Sequence, residues 1–130
     1  MSELFLVVNS HFTDEDKEQC QSTISKLVNL ADISRKRGLL ELLREMENEQ
    51  EGFLKIAMYL ICDSTEETTA KEILENIVLS GEYSGAPLLD RLLITEAALA
   101  IQRGENPRLL ELRLLSMLGE KYIIEHQRKK

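Results

Sequence analysis

The sequence contains few of the residues that build aromatic cores and turn-rich β folds. Its 130 residues include no tryptophan, three tyrosines, three phenylalanines, two prolines and six glycines. Aliphatic side chains must therefore supply most of the core, and the scarcity of turn formers disfavours a β-sandwich. A chain of this length is one domain's worth and buries roughly two thirds of the surface that its unfolded form exposes. We expect a single domain over residues 1–130.

Long hydrophobic runs are absent as well. The longest stretch without Asp, Glu, Lys or Arg extends from Leu4 to Thr13 and is only partly apolar, whereas a membrane-spanning helix needs about 20 mostly apolar residues. The apolar segment Leu4–Val8 has no basic region before it and no cleavage site after it, unlike a secretory signal. We therefore expect a cytoplasmic protein without membrane insertion, in which residues 1–12 form an N-terminal arm that packs on the remainder.

Basic residues are outnumbered, with 16 Lys and Arg against 23 Asp and Glu, a formal net charge of −7. This balance disfavours nucleic-acid binding, which depends on cations that neutralise phosphates. Cys20 and Cys62 form neither a disulfide framework nor a metal-binding pattern, and no glycine-rich phosphate loop is present. We expect no catalytic residues, no metal ligands and no cofactor, and therefore a protein that is not an enzyme.

Apolar residues recur at the three- and four-residue spacing of helices. Thr13 is placed to cap the first of these helices, whose apolar face includes Cys20, Ile24, Leu27, Val28 and Ala31. Gly38 interrupts or bends that helix, and Ser64 with Glu67 forms the pattern of a capping box. Four further apolar stripes follow, at Leu39–Met46, Phe53–Ile61, Ala70–Val78 and Leu88–Ile101, and a last one begins at Leu110. The pattern predicts an all-α protein, an irregular bundle of about five helices.

Residues 88–103 are predicted to form a helix that is apolar on more than one side. Such a helix lies at the centre of a bundle or is shared with a second copy in a homodimer. Residues 120–130, by contrast, are mostly charged, and we interpret them as a mobile tail.

Residues 101–108 indicate a structural elbow between two helices. Gly104 suits the left-handed backbone conformation just past a helix end. Asn106 is a favourable cap for the next helix. Pro107 fits the first turn of that helix, because the backbone N–H that proline lacks would have no hydrogen-bond partner at this position.

Three segments in this order resemble the cytoplasmic parts of the flagellar stator A subunit, the MotA family. They are Leu30–Leu40, Phe53–Glu75 and Ala100–Arg108. The third, which contains the elbow, is similar to the sequence that follows the family's last membrane helix. The family has four membrane-spanning helices and this sequence has none, so the resemblance implies a stator-like cytoplasmic region without ion-channel activity.

The resemblance also implies a site for a partner. The family uses an arginine, and a glutamate eight residues later, to engage charged residues on the rotor. Arg35 matches the arginine, whereas Leu43 occupies the glutamate position and is expected to pack in the core; Glu41 and Glu45 are the nearest carboxylates.

Two functions follow as hypotheses. In the first, Arg35, Lys36 and Arg37 form a positive patch that docks an acidic protein partner, such as a flagellar motor component, and the chain modulates motility or a related membrane complex. In the second, the chain is a soluble regulatory or sensory module that has no connection to the motor and binds another protein or a small apolar ligand. Separately from either function, the alternative interpretation of Arg35, Lys36 and Arg37 is three surface charges near a helix bend.

Overall fold

The first helix begins at a reciprocal pair of hydrogen bonds. In the computed structural model, which describes residues 12–63 and 65–129, the Asp16 amide donates to the Thr13 hydroxyl at 3.1 Å, and the Thr13 amide donates to the Asp16 carboxylate at 3.0 Å. This capping box satisfies two amides that a helix start leaves unpaired. The predicted role of Thr13 as a cap is confirmed.

Over residues 12–63 and 65–129 the chain is helical and contains no strand, so the predicted all-α class is confirmed. In chain order the helices are α1 (Asp14–Gln19), α2 (Gln21–Arg37), α3 (Leu39–Met46), α4 (Phe53–Cys62), α5 (Glu67–Ser80), α6 (Gly85–Gln102), α7 (Pro107–Leu118) and α8 (Glu120–Arg128). Only Cys20 separates α1 from α2. If α1 and α2 are counted as one bent helix, the described ranges contain seven helices. The sequence predicted about five.

Two glycines account for most of the additional helices. Gly38 ends α2 with φ of +89°, and Gly119 ends α7 with φ of +128°. A side chain is strained in this region of backbone conformation, whereas glycine enters it readily. Gly38 therefore ends one helix and starts another instead of only bending it.

The segment predicted to be a charged tail instead forms α8, which packs on α7. Tyr122 is buried, and its hydroxyl donates to a Glu18 carboxylate oxygen at 3.3 Å. His126 Nε2 lies 3.3 Å from Glu111 Oε1. Tyr122 is the one buried residue of α8, and Ile123 next to it packs partly against the core. This apolar pattern is too short to reveal a helix by periodicity.

Two predictions concern residues beyond these ranges. The N-terminal arm with Leu4–Val8 lies outside the described residues, except for Phe12, which packs half-buried against the core. Ser64 of the predicted capping box is also outside them. Helix α5 begins at Glu67 after Glu66, whose own side chain makes no capping hydrogen bond.

Helix α6 lies at the centre of the fold. Every residue from Leu92 to Ile101 is buried, and the helix packs against α1, α2, α4, α5 and α7. Of the two predicted explanations for its apolar sides, the structure supports burial within one chain. Helix α6 therefore offers no apolar face to a second copy. No helix in the described ranges is long and apolar enough to cross a bilayer.

The Cys20 thiol, which lies between α1 and α2, makes the stability of the folded protein depend on pH in the alkaline range. Cys20 is buried and its Sγ lies 3.6 Å from the Ala86 carbonyl oxygen. Burial, with a smaller contribution from the Asp90 and Asp16 carboxylates, raises the pKa of Cys20 from 9.0 to about 11. The folded state therefore keeps a proton that the unfolded state loses above pH 9.

We expect the free energy of unfolding to fall by up to about 2–3 kcal/mol between pH 9 and pH 11 because of this one group. Urea titrations across that range measure it. The Cys20→Ala variant should lose less stability than the parent chain over the same interval. The Cys62→Ala variant should show the same effect to a smaller extent, because burial also raises the pKa of Cys62. An equal alkaline loss in the parent chain and in Cys20→Ala would contradict the assignment.

Candidate partner-binding site

The basic cluster Arg35, Lys36 and Arg37 occupies the last turn of α2, with all three residues exposed. Positive charges here oppose the negative end of the helix dipole, which stabilises the helix modestly. Lys36 Nζ lies 3.2 Å from Asp32 Oδ2, one turn earlier. Within the described part of the chain, Arg37 has neither a hydrogen-bond nor an ion-pair partner, so its charge is available to another molecule.

The elbow between α6 and α7 is built by backbone hydrogen bonds. Gly104 has φ of +75° and its amide donates to Ile101 at 3.0 Å, while the Glu105 amide donates to Ala100 at 3.0 Å. These two bonds form a Schellman motif, which satisfies carbonyl groups at the end of α6. Asn106 then accepts a hydrogen bond from the Arg108 amide at 2.8 Å, and Pro107 is the first residue of α7.

The structure brings the basic cluster and the elbow together. Arg35 Nη1 donates to the Gly104 carbonyl oxygen at 3.4 Å, a long contact across 69 positions of sequence. Between them lies a hollow of about 230 Å³, whose lining includes Ser34, Leu39, Ile101 and Glu105. The two features singled out in the sequence therefore form one surface, with cations on one side and an apolar wall beside them.

An arginine clamp holds the elbow against the core. Arg113 of α7 donates from Nε and Nη2 to the two Glu105 carboxylate oxygens at 3.1 and 2.6 Å, and from Nη1 to Glu96 at 3.4 Å. The hydrogen bond with Glu105 is the main cause that raises the pKa of Arg113 above its ordinary value. Glu96 lies on α6 and is buried. The sequence alone does not reveal this clamp, because no spacing of residues along the chain identifies an arginine that bridges two helices.

Two leucines continue the basic cluster beyond the bend at Gly38. Leu39 is 41% exposed and Leu40 is 65% exposed. Two adjacent exposed leucines next to Arg37 would be unusual if this end of the helix contacted only water. Contact surfaces between proteins commonly combine such apolar centres with charged rims.

The position at which the resemblance expects a glutamate is less buried than predicted. Leu43 is half-buried and lines an open apolar groove rather than lying fully in the core. Glu41 pairs with Arg44 at 3.3 Å, and Glu45 is exposed. Among the described residues, no carboxylate therefore pairs with Arg35 to reproduce the family's arginine and glutamate arrangement.

The groove itself is the second feature that the sequence analysis missed. Ile56 and Ile73, which lie within the predicted apolar stripes Phe53–Ile61 and Ala70–Val78, are 47% and 38% exposed. The sequence does contain a sign of this groove, because α4 is apolar on nearly every side. Since α6 occupies the centre of the fold, α4 cannot bury all of its sides there, and one apolar side stays uncovered. In the part of the chain that the structure describes, no group of three or more His, Cys, Asp or Glu residues is placed to hold a metal ion.

Comparison with protein families, with curated proteins and with solved structures found no match to this chain.

Proposed function

We propose that this protein is a non-catalytic helical interaction domain related to the cytoplasmic part of a flagellar stator A subunit. Its partner docks on the surface formed by Arg35, Lys36 and Arg37, the elbow at Gly104, and the exposed pair Leu39 and Leu40. The observation that carries the proposal is the position of Leu40, 65% exposed, close in sequence to a basic cluster in which Arg37 has no partner among the described residues.

The chemistry of this surface specifies the partner. Burial of Leu39 and Leu40 favours association, because apolar area leaves water. The cations around them select a partner with acidic residues, and charges at such a rim control association rate and specificity more than affinity. The partner is therefore an acidic protein surface with a small apolar centre.

The link to the motor rests on the resemblance of three segments, two of which, Leu30–Leu40 and Ala100–Arg108, meet in space through Arg35 and Gly104. Because Leu43 stands where the family has a glutamate, this chain binds its partner by a different arrangement from the family's arginine and glutamate. We infer that the chain modulates motility, or a related membrane complex, through Arg35 and its neighbours without conducting ions.

The test is affinity purification from the native cell with the full chain as bait, followed by mass spectrometry. We expect a motility component that is captured by the parent chain and lost with Arg35→Glu/Arg37→Glu. The matched control, Lys121→Glu/Arg128→Glu, reverses two exposed cations on α8 and should still capture it. With the purified partner, the association rate should fall about tenfold or more on charge reversal and should also fall with added salt.

The absence of every rotor, stator and motility protein from the captured set would contradict the motor assignment. Equal capture by the parent chain and the Arg35→Glu/Arg37→Glu variant would show that this surface is not the docking site.

A further inference from the structure

The negative charge of this protein is concentrated in one part of the chain. Residues 39–80, which form α3, α4, α5 and their connections, contain ten acidic and three basic residues, a formal charge of −7. The remaining residues contain 13 acidic and 13 basic side chains and are neutral overall. We call residues 39–80 the acidic sector.

An open apolar groove runs along α4 within the acidic sector. It has a volume of about 570 Å³. Its apolar lining comes from all three helices: Leu43 of α3, Ile56, Tyr59 and Leu60 of α4, and Ile73 of α5. Single exposed apolar residues are ordinary, but a contiguous set shared by three helices marks an interaction surface.

The charged residues that line the groove leave it negative. Lys55 is its one lining cation among the described residues, and its Nζ is held 3.0 Å from Glu51 Oε1. Asp63 at the other end is exposed and has no ion-pair partner in the described ranges. A molecule in the groove therefore meets an apolar floor, a neutralised lysine and an unpaired carboxylate.

We propose that this groove, the α4 groove, binds a basic amphipathic helix of another protein. Helix α4 has ten residues, about 15 Å in length, which matches the three or so turns that one partner helix lays in a groove. Apolar side chains of the partner helix at positions i, i+3 or i+4, and i+7 fill the apolar floor of the groove. Lysines or arginines beside them on the partner helix face the acidic sector. The groove is open along its length, whereas small-ligand sites enclose most of the ligand.

This groove shares no lining residue with the hollow beside Arg35, although the two adjoin where Cys62 Sγ lies 3.8 Å from the Leu39 carbonyl oxygen. Its charge preference is the opposite one, so it goes beyond the proposed function, and substitutions at Ile56 or at Arg35 address the two surfaces one at a time.

The test uses the full chain and three designed peptides of about 18 residues, long enough for about five helical turns. The first peptide carries leucines at positions i, i+3 or i+4, and i+7, with lysines beside them. The second replaces the lysines with glutamates, and the third has the composition of the first in scrambled order. Fluorescence anisotropy should give a Kd of about 10 µM or tighter for the lysine peptide, and binding about tenfold weaker or more for the other two.

Variants locate the binding site. Ile56→Asp and Tyr59→Asp place a charge in the groove at side chains that are already partly exposed, so both should fold. Each should weaken binding of the lysine peptide about tenfold or more. The matched control is Leu109→Asp on α7, since Leu109 is 51% exposed and lies outside the groove. Bound peptide should also slow alkylation of Cys62, which lines the groove.

Four results would overturn the proposal. They are equal binding of the glutamate peptide, no effect of Ile56→Asp, self-association of the chain that Ile56→Asp abolishes, and nuclear Overhauser effects between Leu4–Val8 and Tyr59. The third would assign the groove to a second copy, and the fourth to the chain's own N-terminal segment. The Arg35→Glu/Arg37→Glu variant should bind the lysine peptide as the parent chain does, so failure at one surface is distinguishable from failure at the other.

Discussion

Replacing Leu93 by alanine should lower the free energy of unfolding by about 3–4 kcal/mol. Leu93 lies on α6 and is fully buried, in a helix that five others cover. The substitution removes apolar contacts and leaves a cavity that rigid neighbouring helices fill only in part. Since domains of this kind are stable by about 5–15 kcal/mol in total, this one change removes a large share of that stability.

Urea titration followed by far-ultraviolet circular dichroism measures the loss for Leu93→Ala. Leu109→Ala is the control, because Leu109 is exposed on α7 and its truncation should change stability by less than about 0.5 kcal/mol. A loss below about 1 kcal/mol at Leu93 would mean that α6 is not tightly covered.

Replacing Arg113 by methionine should cost about 2 kcal/mol at neutral pH. The change keeps the apolar length of the side chain and leaves the Glu96 and Glu105 carboxylates without their shared cation. Loss of one partner from a fully buried ion pair costs about 3–5 kcal/mol. The Arg113 side chain is 39% exposed, so we expect a smaller loss here.

A second variant distinguishes lost charge pairing from lost packing at Arg113. Adding Glu96→Gln to Arg113→Met should recover part of the stability, because a neutral amide needs no counter-charge. Arg108→Met, an exposed arginine on the same helix, is the control and should be nearly neutral. No recovery of stability in the double variant would show that Arg113 acts by packing alone.

Local chemistry predicted several helix boundaries correctly. The Thr13 cap, the end of α3 before Glu47, and the junction through Gly104, Asn106 and Pro107 depend on residues within a few positions of one another. The all-α class followed from apolar spacing alone. Helix α8 was missed because its burial depends on Tyr122, whose partner Glu18 lies 104 positions earlier.

The candidate site was predictable in its residues but not in its assembly. The sequence singled out Arg35 and Gly104 separately, and only the fold of α2 against α7 and α6 places them in contact. The α4 groove was hidden for a related reason. Periodicity assigns Ile56 and Ile73 to apolar stripes, but it does not say whether another helix covers those stripes.

The position of α6 in the chain also has a consequence for biosynthesis. Helices α1 to α5 emerge from the ribosome first, yet α1, α2, α4 and α5 all pack on a helix that is translated after them. At about 5–20 residues per second, the 18 residues of α6 take roughly 1–4 s to make. Until α6 has been made, the apolar faces of α1, α2, α4 and α5 lack the helix that covers them in the folded protein, so the core cannot be completed before that point.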